Sequence, residues 1–335
     1  MNILLTGGLG YIASHSALSL LGADNNVILF DNLSNSDTSV LSSLEQITNK
    51  KITFIEGDVA DSQLLSRTLK ERNIHSVMHF AGFKAVKEST EKPLLYYENN
   101  LGSLISLINA MQLNGIKKIV FSSSATVYGQ PKYLPYDEMH PTNPINPYGR
   151  TKLFIEEILR DLYASDPEWS IAILRYFNPV GAHESGLIGE AWKGAPNNLM
   201  PHIINVASGR LGELKIFGGD YETRDGSAER DYIHIMDLAE GHIAALKFIE
   251  AQNGCFTLNL GSGFSTTVLE LVEAFKKINL IKIPYKIVDR RPGDLASYFA
   301  NTSSAKKLLN WEAKRSIEEM CFSAWKFGML NQKIF

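Results

Sequence analysis

The sequence contains few cysteines, and this excludes two common kinds of site. Cys255 and Cys321 are the only cysteines among 335 residues, and neither lies in a cluster of metal ligands. A disulfide framework and a zinc-binding pattern are therefore excluded, and we expect no bound metal. Free thiols favour a reducing compartment, so we expect a cytoplasmic protein.

Long apolar runs and an excess of positive charge are also missing. No stretch approaches the ~18 consecutive apolar residues that a membrane helix needs. The N-terminal run Met1–Thr6 is too short for a signal peptide. The formal net charge is −3 at pH 7, which provides no basic surface for a nucleic acid. We therefore expect neither a membrane nor a nucleic acid as a partner.

The first half of the chain alternates short apolar segments with helix-length segments. This alternation predicts βαβ units and a parallel sheet, and the 44% of hydrophobic residues is enough for a sizeable core. From about Pro179 onward, Gly, Pro and Asn are more frequent and the spacing is less regular. The predicted strands are Ile3–Leu5, Val27–Phe30, Ile52–Ile55, Val77–Phe80, Ile119–Phe121 and Ile171–Leu174.

A glycine-rich turn follows the first predicted strand. Gly8-x-Gly10-x-x-Ala13 fits the Gly-x-Gly-x-x-Gly/Ala pattern, and Gly7 adds a further glycine. Glycine suits this turn because the backbone must approach a pyrophosphate closely, while the next helix offers free amide donors. Asp31 ends the second strand roughly 20 residues later, where a carboxylate accepts from ribose hydroxyls and repels a 2′-phosphate. The pattern predicts NAD, not NADP.

These features define the predicted architecture. We predict an α/β fold in which residues 1–178 form a Rossmann-type doubly wound parallel sheet that binds NAD. Residues 179–335 are predicted to form a second, smaller α/β domain that binds the substrate. The segment near 231–260 is a candidate to pack back onto the first domain.

A tyrosine and a lysine lie one helical turn apart after the fifth predicted strand. Tyr148 and Lys152 share a helix face, Pro147 is compatible with a helix start, and Ser124 follows the strand at the same sheet edge. Lowering a tyrosine pKa from about 10 to about 7 takes about 4 kcal/mol. An ammonium at ~4 Å supplies about that much at an effective dielectric of ~20, and an oxidised nicotinamide adds more positive charge. We predict Tyr148 as the base, Lys152 as its electrostatic partner and Ser124 as a hydroxyl relay.

These residues are those of the extended short-chain dehydrogenase/reductase family, and the chain resembles UDP-galactose 4-epimerases over nearly its whole length. The resemblance implies that UDP-glucose and UDP-galactose interconvert through a 4-keto sugar. In that mechanism Tyr148 takes the proton of the sugar 4-hydroxyl as hydride leaves C4 for tightly held NAD. The keto sugar then turns about its link to the diphosphate and receives the hydride on its other face. The motifs that carry the resemblance are TGGLGYIASH (Thr6–His15), DNLSNS (Asp31–Ser36), HFAGFKAV (His79–Val86), SSSATVYG (Ser122–Gly129), NPYGRTK (Asn146–Lys152), LRYFNPVGAH (Leu174–His183), PNNLMP (Pro196–Pro201), RDYIHIMDLAEGH (Arg230–His242) and RRPGDL (Arg290–Leu295).

The resemblance also implies the ligand contacts, including Lys84 at the nicotinamide ribose. It implies a homodimer formed through the helices that contain Leu104–Met111 and Lys152–Leu159. The implied cofactor residues are Gly7, Gly10, Tyr11, Ile12, Asp31, Asn32, Asp58, Val59, Phe80, Ala81, Lys84, Asn99, Tyr148, Lys152 and Tyr176. The implied UDP-hexose residues are Ser124, Asn178, Asn198, Leu199, Phe217, Arg230, Tyr232, Arg291, Asp294 and Tyr298. Arginine and asparagine side chains suit a diphosphate, because they form charge-assisted and neutral hydrogen bonds with it.

The chain departs from the family pattern at three places. Ala13 replaces a glycine, Leu101-Gly102-Ser103 replaces an Asn/Thr-Gly-Thr run, and Ala228 replaces the glycine in the loop before Arg230. None of these departures touches the catalytic residues. The last one puts the affinity of the loop that clamps the nucleotide in doubt.

Competing activities on the same fold need different residues. A 4,6-dehydratase commonly has an Asp-Glu pair just after the hydroxyl residue of strand five, where this chain has Ala125 and Thr126, so we exclude that reaction. An epimerase for UDP-N-acetylglucosamine and UDP-N-acetylgalactosamine, or a sugar-nucleotide reductase, remains an alternative. The resemblance places Tyr298 beside the sugar 2-substituent, where its ring fills the space of an N-acetyl group. We therefore expect a preference for UDP-glucose and UDP-galactose.

Overall fold

The computed structural model describes residues 1–191, 196, 198–291 and 293–331. Asn197 and Pro292, which belong to two of the quoted motifs, and residues 332–335 of the predicted second domain lie outside the described residues. The strands are β1 (Asn2–Thr6), β2 (Asn26–Asp31), β3 (Thr53–Glu56), β4 (Ser76–His79), β5 (Lys118–Ser122), β6 (Ser170–Tyr176), β7 (Asn178–Val180), β8 (Leu214–Phe217), β9 (Glu229–Arg230), β10 (Tyr232–His234), β11 (Gly254–Leu260), β12 (Thr266–Thr267), β13 (Tyr285–Val288) and β14 (Ser297–Tyr298). The helices are α1 (Tyr11–Gly22), α2 (Ser39–Thr48), α3 (Ser62–Glu71), α4 (Val86–Glu91), α5 (Pro93–Leu113), α6 (Pro147–Ser165), α7 (Leu199–Ala207), α8 (Ile235–Ala251), α9 (Val268–Asn279), α10 (Ser303–Leu309) and α11 (Ile317–Leu330), with a 3₁₀ turn at Ala125–Val127.

A seven-stranded parallel sheet forms the centre of the first part of the chain. Its strand order is β11-β6-β5-β4-β1-β2-β3, and every neighbouring pair is parallel. Each strand predicted from the sequence lies in this sheet, so those predictions are confirmed, as is the Rossmann-type fold. The order reverses at β1, which has β2 on one side and β4 on the other. Ligands of doubly wound sheets bind at such a reversal, beyond the carboxyl ends of the strands.

The two faces of this sheet belong to separate hydrophobic cores. Ile3 and Leu5 of β1 lie in a core that includes residues of α1 and α8. Leu4, between them, lies in a second core that includes residues of α3, α5 and α6. Because both faces are covered, the strands are continuous apolar runs in the sequence instead of alternating ones.

The second part of the chain carries three small sheets and a third core. Its sheets pair β10 with β7, β9 with both β12 and β14, and β13 with β8. Buried side chains of α7, α9 and α11 form the third core. Between these elements the chain returns to the first part, because β11 pairs with β6 along its length and α8 packs on α1. Among the described residues, no helix has the length and hydrophobicity of a membrane span.

Candidate active site

The glycine-rich turn connects β1 to α1. Gly7 has φ +64°, and a Cβ added there would lie 2.9 Å from the Ala81 backbone nitrogen. A side chain at this position is therefore excluded by both conformation and space. Gly10 is the N-cap of α1, and no side chain of the described residues caps the helix there. The first backbone donors of α1 fit an anionic ligand such as a pyrophosphate.

A cavity of about 380 Å³ lies at the carboxyl ends of β1 to β4, at the reversal of the strand order. This volume is within the range of small-molecule and cofactor sites. The predicted cofactor residues that line it are Gly7, Asp31, Asn32, Asp58, Val59, Ala81, Lys84 and Asn99. It is also lined by residues that the sequence analysis does not predict, among them Phe30, Gly82, Phe83, Tyr96 and Ser103. Gly82 and Phe83 belong to the HFAGFKAV motif, so the motif could have identified them as cofactor-site residues.

Asp31 lines this cavity and also fixes the glycine-rich turn. Its Oδ2 accepts from the Leu9 amide at 3.0 Å. Its Oδ1 accepts from the Leu33 amide at 2.9 Å and from Ser36 Oγ at 2.8 Å. A carboxylate has about four acceptor positions, so capacity for a further donor such as a ribose hydroxyl remains. The cavity, the uncapped helix start and this carboxylate together fit NAD.

The other predicted cofactor residues surround the start of α1 and the ends of β4 and β6. The Tyr11 hydroxyl donates to the Gly181 carbonyl at 2.6 Å, and Ile12 packs against the first core. Phe80 and Tyr176 both contact the His242 ring, at centroid distances of 5.1 Å and 6.1 Å.

The three predicted catalytic residues come together at the end of β5 and the start of α6. Tyr148, Lys152 and Ser124 are buried, with exposures of 6%, 5% and 7%. Asn146 caps α6 by accepting from the Gly149 amide at 2.8 Å, which places Tyr148 in the first turn. Ser124 lies close enough to Tyr148 to lower the pKa of its phenol. Lys152 Nζ lies 5.9 Å from the centroid of the Tyr148 ring.

The electrostatics of this group differ from the expectation. Burial raises the pKa of Tyr148, the neighbouring Tyr176 raises it further, and the hydrogen bond with Ser124 lowers it. Lys152 Nζ donates to the Ser122 carbonyl at 2.8 Å. Burial therefore dominates, and in the protein without cofactor the pKa of Tyr148 lies above its ordinary value.

Five of the predicted substrate residues form one group in the second part of the chain. Arg230 lies 3.5 Å from Asp294, and Arg291 Nε donates to Asp294 at 2.9 Å. The Arg291 guanidinium lies 4.8 Å from the centroid of the Phe217 ring. Tyr298 is paired in register with Arg230 between β14 and β9. Two guanidinium groups beside one carboxylate leave N–H donors for a diphosphate.

Of the predicted substrate residues, two have a buried polar atom without a hydrogen-bond partner among the described residues, namely Asn178 Oδ1 and the Tyr298 hydroxyl. An unsatisfied buried polar group costs roughly 1–3 kcal/mol, so these atoms fit contact with a polar ligand. The Tyr298 ring packs against Tyr136 and Phe177, at centroid distances of 5.2 Å and 5.1 Å. Tyr232 is buried as well, and burial raises its pKa to about 12.

Asn198 contacts an acidic residue that also lies near a predicted cofactor residue. Its side chain donates to Glu190 at 2.5 Å, and Lys84 Nζ lies 3.8 Å from the same Glu190 oxygen. Glu190 therefore connects a predicted cofactor residue with a predicted substrate residue. Nothing in the sequence pattern distinguished it from other acidic residues of the loop. Leu199 begins α7 and packs against the third core.

Each of the three departures from the family pattern includes a residue that is buried or lines the cavity. Ala13 is fully buried, and Ser103 lines the cavity. Ala228 is buried, and its carbonyl accepts from the Val268 amide at 2.9 Å.

Among the described residues, no group of three or more His, Cys, Asp and Glu side chains could hold a metal ion.

Comparison with known proteins gives consistent matches over the full chain. The family model described as GDP-mannose 4,6 dehydratase matches residues 4–323. A UDP-glucose 4-epimerase of Bacillus subtilis (strain 168) is 51% identical over 331 residues, which cover 99% of this chain and 98% of that protein. The solved UDP-glucose 4-epimerase of Bifidobacterium longum, in complex with NAD+ and UDP, has a TM-score of 0.96 and 49% identity, with 100% of both chains covered. That of Stenotrophomonas maltophila, with bound NAD and formylated UDP-arabinopyranose, has a TM-score of 0.98 and 44% identity, also with 100% of both chains covered.

Proposed function

Since the chain belongs to the UDP-glucose 4-epimerases of the extended short-chain dehydrogenase/reductase family, we propose that Tyr148, Lys152 and Ser124 carry out its reaction. The chain is an NAD-dependent isomerase that interconverts UDP-glucose and UDP-galactose. The observation that carries the assignment of the residues is the burial of all three at the carboxyl end of β5, the sheet edge that also holds the cavity. The experiment that tests it is the replacement of Tyr148, argued in the Discussion.

The chemistry divides between the cofactor and the side chains. When bound, NAD would supply the hydride chemistry at C4 of the sugar and, in its oxidised form, a positive charge; the predicted cofactor residues that line the cavity, among them Asp31 and Lys84, would hold it. Tyr148 takes the proton of the 4-hydroxyl and later returns it. Ser124 passes this proton because its hydroxyl lies close enough to Tyr148 to influence the pKa of the phenol. Lys152 favours the phenolate through its positive charge, which acts strongly in a buried site.

The substrate is held at its nucleotide end. Arg230 and Arg291 are proposed to bind the diphosphate, and the unpartnered Asn178 Oδ1 to accept from the substrate. Fixing the diphosphate leaves the sugar free to turn, so that either face of C4 can be presented to the same hydride acceptor. We further propose that residues 1–178 and the returning segment near 231–260 bind NAD, and that the rest of 179–335 binds the UDP-hexose. The free cysteines Cys255 and Cys321 support a cytoplasmic location.

The cofactor is expected to stay bound through purification. Protein isolated without added nucleotide should release NAD on denaturation and should epimerise UDP-galactose without external nicotinamide, because no net oxidation occurs. Gly7→Ala should lose the bound NAD, since its Cβ would lie 2.9 Å from the Ala81 nitrogen. Gly22→Ala is the matched control, because a Cβ at this end of α1 meets no atom within 4 Å.

The measurement is chromatography of the nucleotide released per protein chain, combined with the epimerisation rate. A folded preparation that is free of nucleotide and active only with added NADPH would contradict the proposal. It would favour the sugar-nucleotide reductase instead.

We propose that the enzyme is a homodimer through α5 and α6. Leu94, Tyr97, Leu101 and Ile105 are spaced to form one stripe on α5, and Phe154 of α6 stacks on Tyr97 at 6.0 Å. Leu94, Ile105 and Phe154 are exposed by 72%, 50% and 45%. An exposed apolar stripe on two adjacent helices is typical of a protein–protein interface.

Light scattering after size exclusion should give twice the chain mass for the wild type. Phe154→Glu should give a monomer, because it places a charge in the proposed interface. Leu280→Glu, at a leucine that is 91% exposed at the end of α9, should remain a dimer. A monomeric wild type would refute the proposed dimer.

A further inference from the structure

Helix α6 carries a second buried charge one turn beyond Lys152. Glu156 is fully buried, and its Oε1 accepts from Ser123 Oγ at 2.5 Å. Arg175 of β6 donates to both carboxylate oxygens, with its Nη2 2.6 Å from Oε2. Arg160 donates to Oε2 at 2.8 Å. The carboxylate is therefore a fixed part of the region between α6 and β5.

Helix α6 contacts the end of β5 through two neighbouring residues. Lys152 holds the Ser122 carbonyl, and Glu156 holds the Ser123 side chain. Ser124 is the next residue, and its backbone direction is determined by this turn. We propose that Glu156 is a positioning residue for epimerisation, which acts through Ser123 to hold the Ser122–Ser124 turn against Tyr148. The inference rests on the proposed function.

Glu156 also affects the charge of Lys152. Burial lowers the pKa of Lys152 and the Glu156 carboxylate raises it, so that the resulting pKa is about 8. Although burial raises the pKa of Glu156 itself, the hydrogen bonds and charge of Arg175 bring it below its ordinary value, so Glu156 is an anion. The titratable and charged groups that surround it are Lys152, Glu157 and Arg160 of α6, Arg175 of β6, Tyr128 beside Arg175, and Cys255 of β11. Loss of the carboxylate leaves this region with an excess of cations, which favours a neutral lysine.

The first test removes the contact to the turn and keeps the ion pair. In Ser123→Ala we expect kcat for UDP-galactose to fall about tenfold, the effect of one mispositioned hydrogen bond. KM should stay within about twofold and the NAD content should not change, because only an interaction of the transition state is lost. Ser123→Ala with the wild-type kcat would overturn the inference, whatever its thermal stability.

The second test measures the effect of the Glu156 charge on the protonation of Lys152. In Glu156→Gln we expect the alkaline limb of the kcat–pH profile to move ~1 unit toward lower pH, because Lys152 loses its proton more easily. Glu157→Gln is the matched control, since Glu157 also pairs with Arg160 but is 58% exposed, and it should keep the wild-type profile. An unchanged alkaline limb in folded Glu156→Gln would overturn the inference. Should burial of an unpaired Arg175 prevent folding, Ser123→Ala decides alone.

Absence of turnover in the wild type would refute the proposed function and this inference with it. Wild-type turnover together with an unaltered Ser123→Ala would refute the inference alone.

Discussion

Replacing Tyr148 by phenylalanine is expected to lower kcat for UDP-galactose epimerisation by at least ~10²–10⁴-fold, the range for lost general-base catalysis. The phenylalanine ring keeps the packing of the first turn of α6, but it cannot take or return the proton of the 4-hydroxyl. Since Tyr148 is 6% exposed, water has little access to replace the lost base. We therefore expect the fall in kcat to lie at the upper end of this range.

Two further measurements make the result interpretable. The variant should keep its bound NAD and its thermal midpoint within a few degrees, because the only polar group removed is a hydroxyl that interacts with Ser124. Tyr163→Phe, farther along the same helix, is the matched control and should keep full activity. A Tyr148→Phe enzyme that is folded and keeps more than a tenth of the wild-type rate would show that another group is the base.

The sequence predicts the fold well where the signals are local. Each predicted strand exists because a short apolar run between two turns can only be buried on both faces of a sheet. The order of the motifs also placed Ser124, Tyr148 and Lys152 at one edge, since parallel strands end on the same side. A motif of adjacent residues and the rule of the sheet edge are sufficient for this part of the site.

The sequence does not predict properties that depend on distant neighbours. The pKa of Tyr148 was expected to be lowered by Lys152, but burial by surrounding elements raises it, and the degree of burial is not readable from a spacing of four residues. The ion pair of Glu190 with Lys84 joins segments far apart in the chain. The ion pair of Glu156 with Arg175 likewise joins two different elements, α6 and β6. Such contacts follow from the packing of elements, which no local pattern encodes.

The position of Tyr298 supports a second large effect, on the choice of sugar. Its ring is packed between Tyr136 and Phe177, so it cannot easily move away from a larger substrate. It lies beside Arg230, and its hydroxyl has no partner among the described residues. Forcing an N-acetyl group against such a ring typically costs ~1–3 kcal/mol, which is about 5- to 150-fold in kcat/KM. We therefore expect a preference of that size for UDP-glucose and UDP-galactose.

Tyr298→Cys is expected to remove this preference by raising kcat/KM for the N-acetylated pair. The measurement is kcat/KM for UDP-galactose and for UDP-N-acetylgalactosamine, in the wild type and in the variant. Tyr285→Cys, at a partly exposed tyrosine of β13, is the control and should keep the wild-type ratio. If Tyr298 only packs against the aromatic side chains, the variant loses thermal stability and its ratio does not change. Equal wild-type values for the two substrates would exclude the steric effect and favour an N-acetylhexosamine epimerase, because the ring would then leave room for the larger 2-substituent.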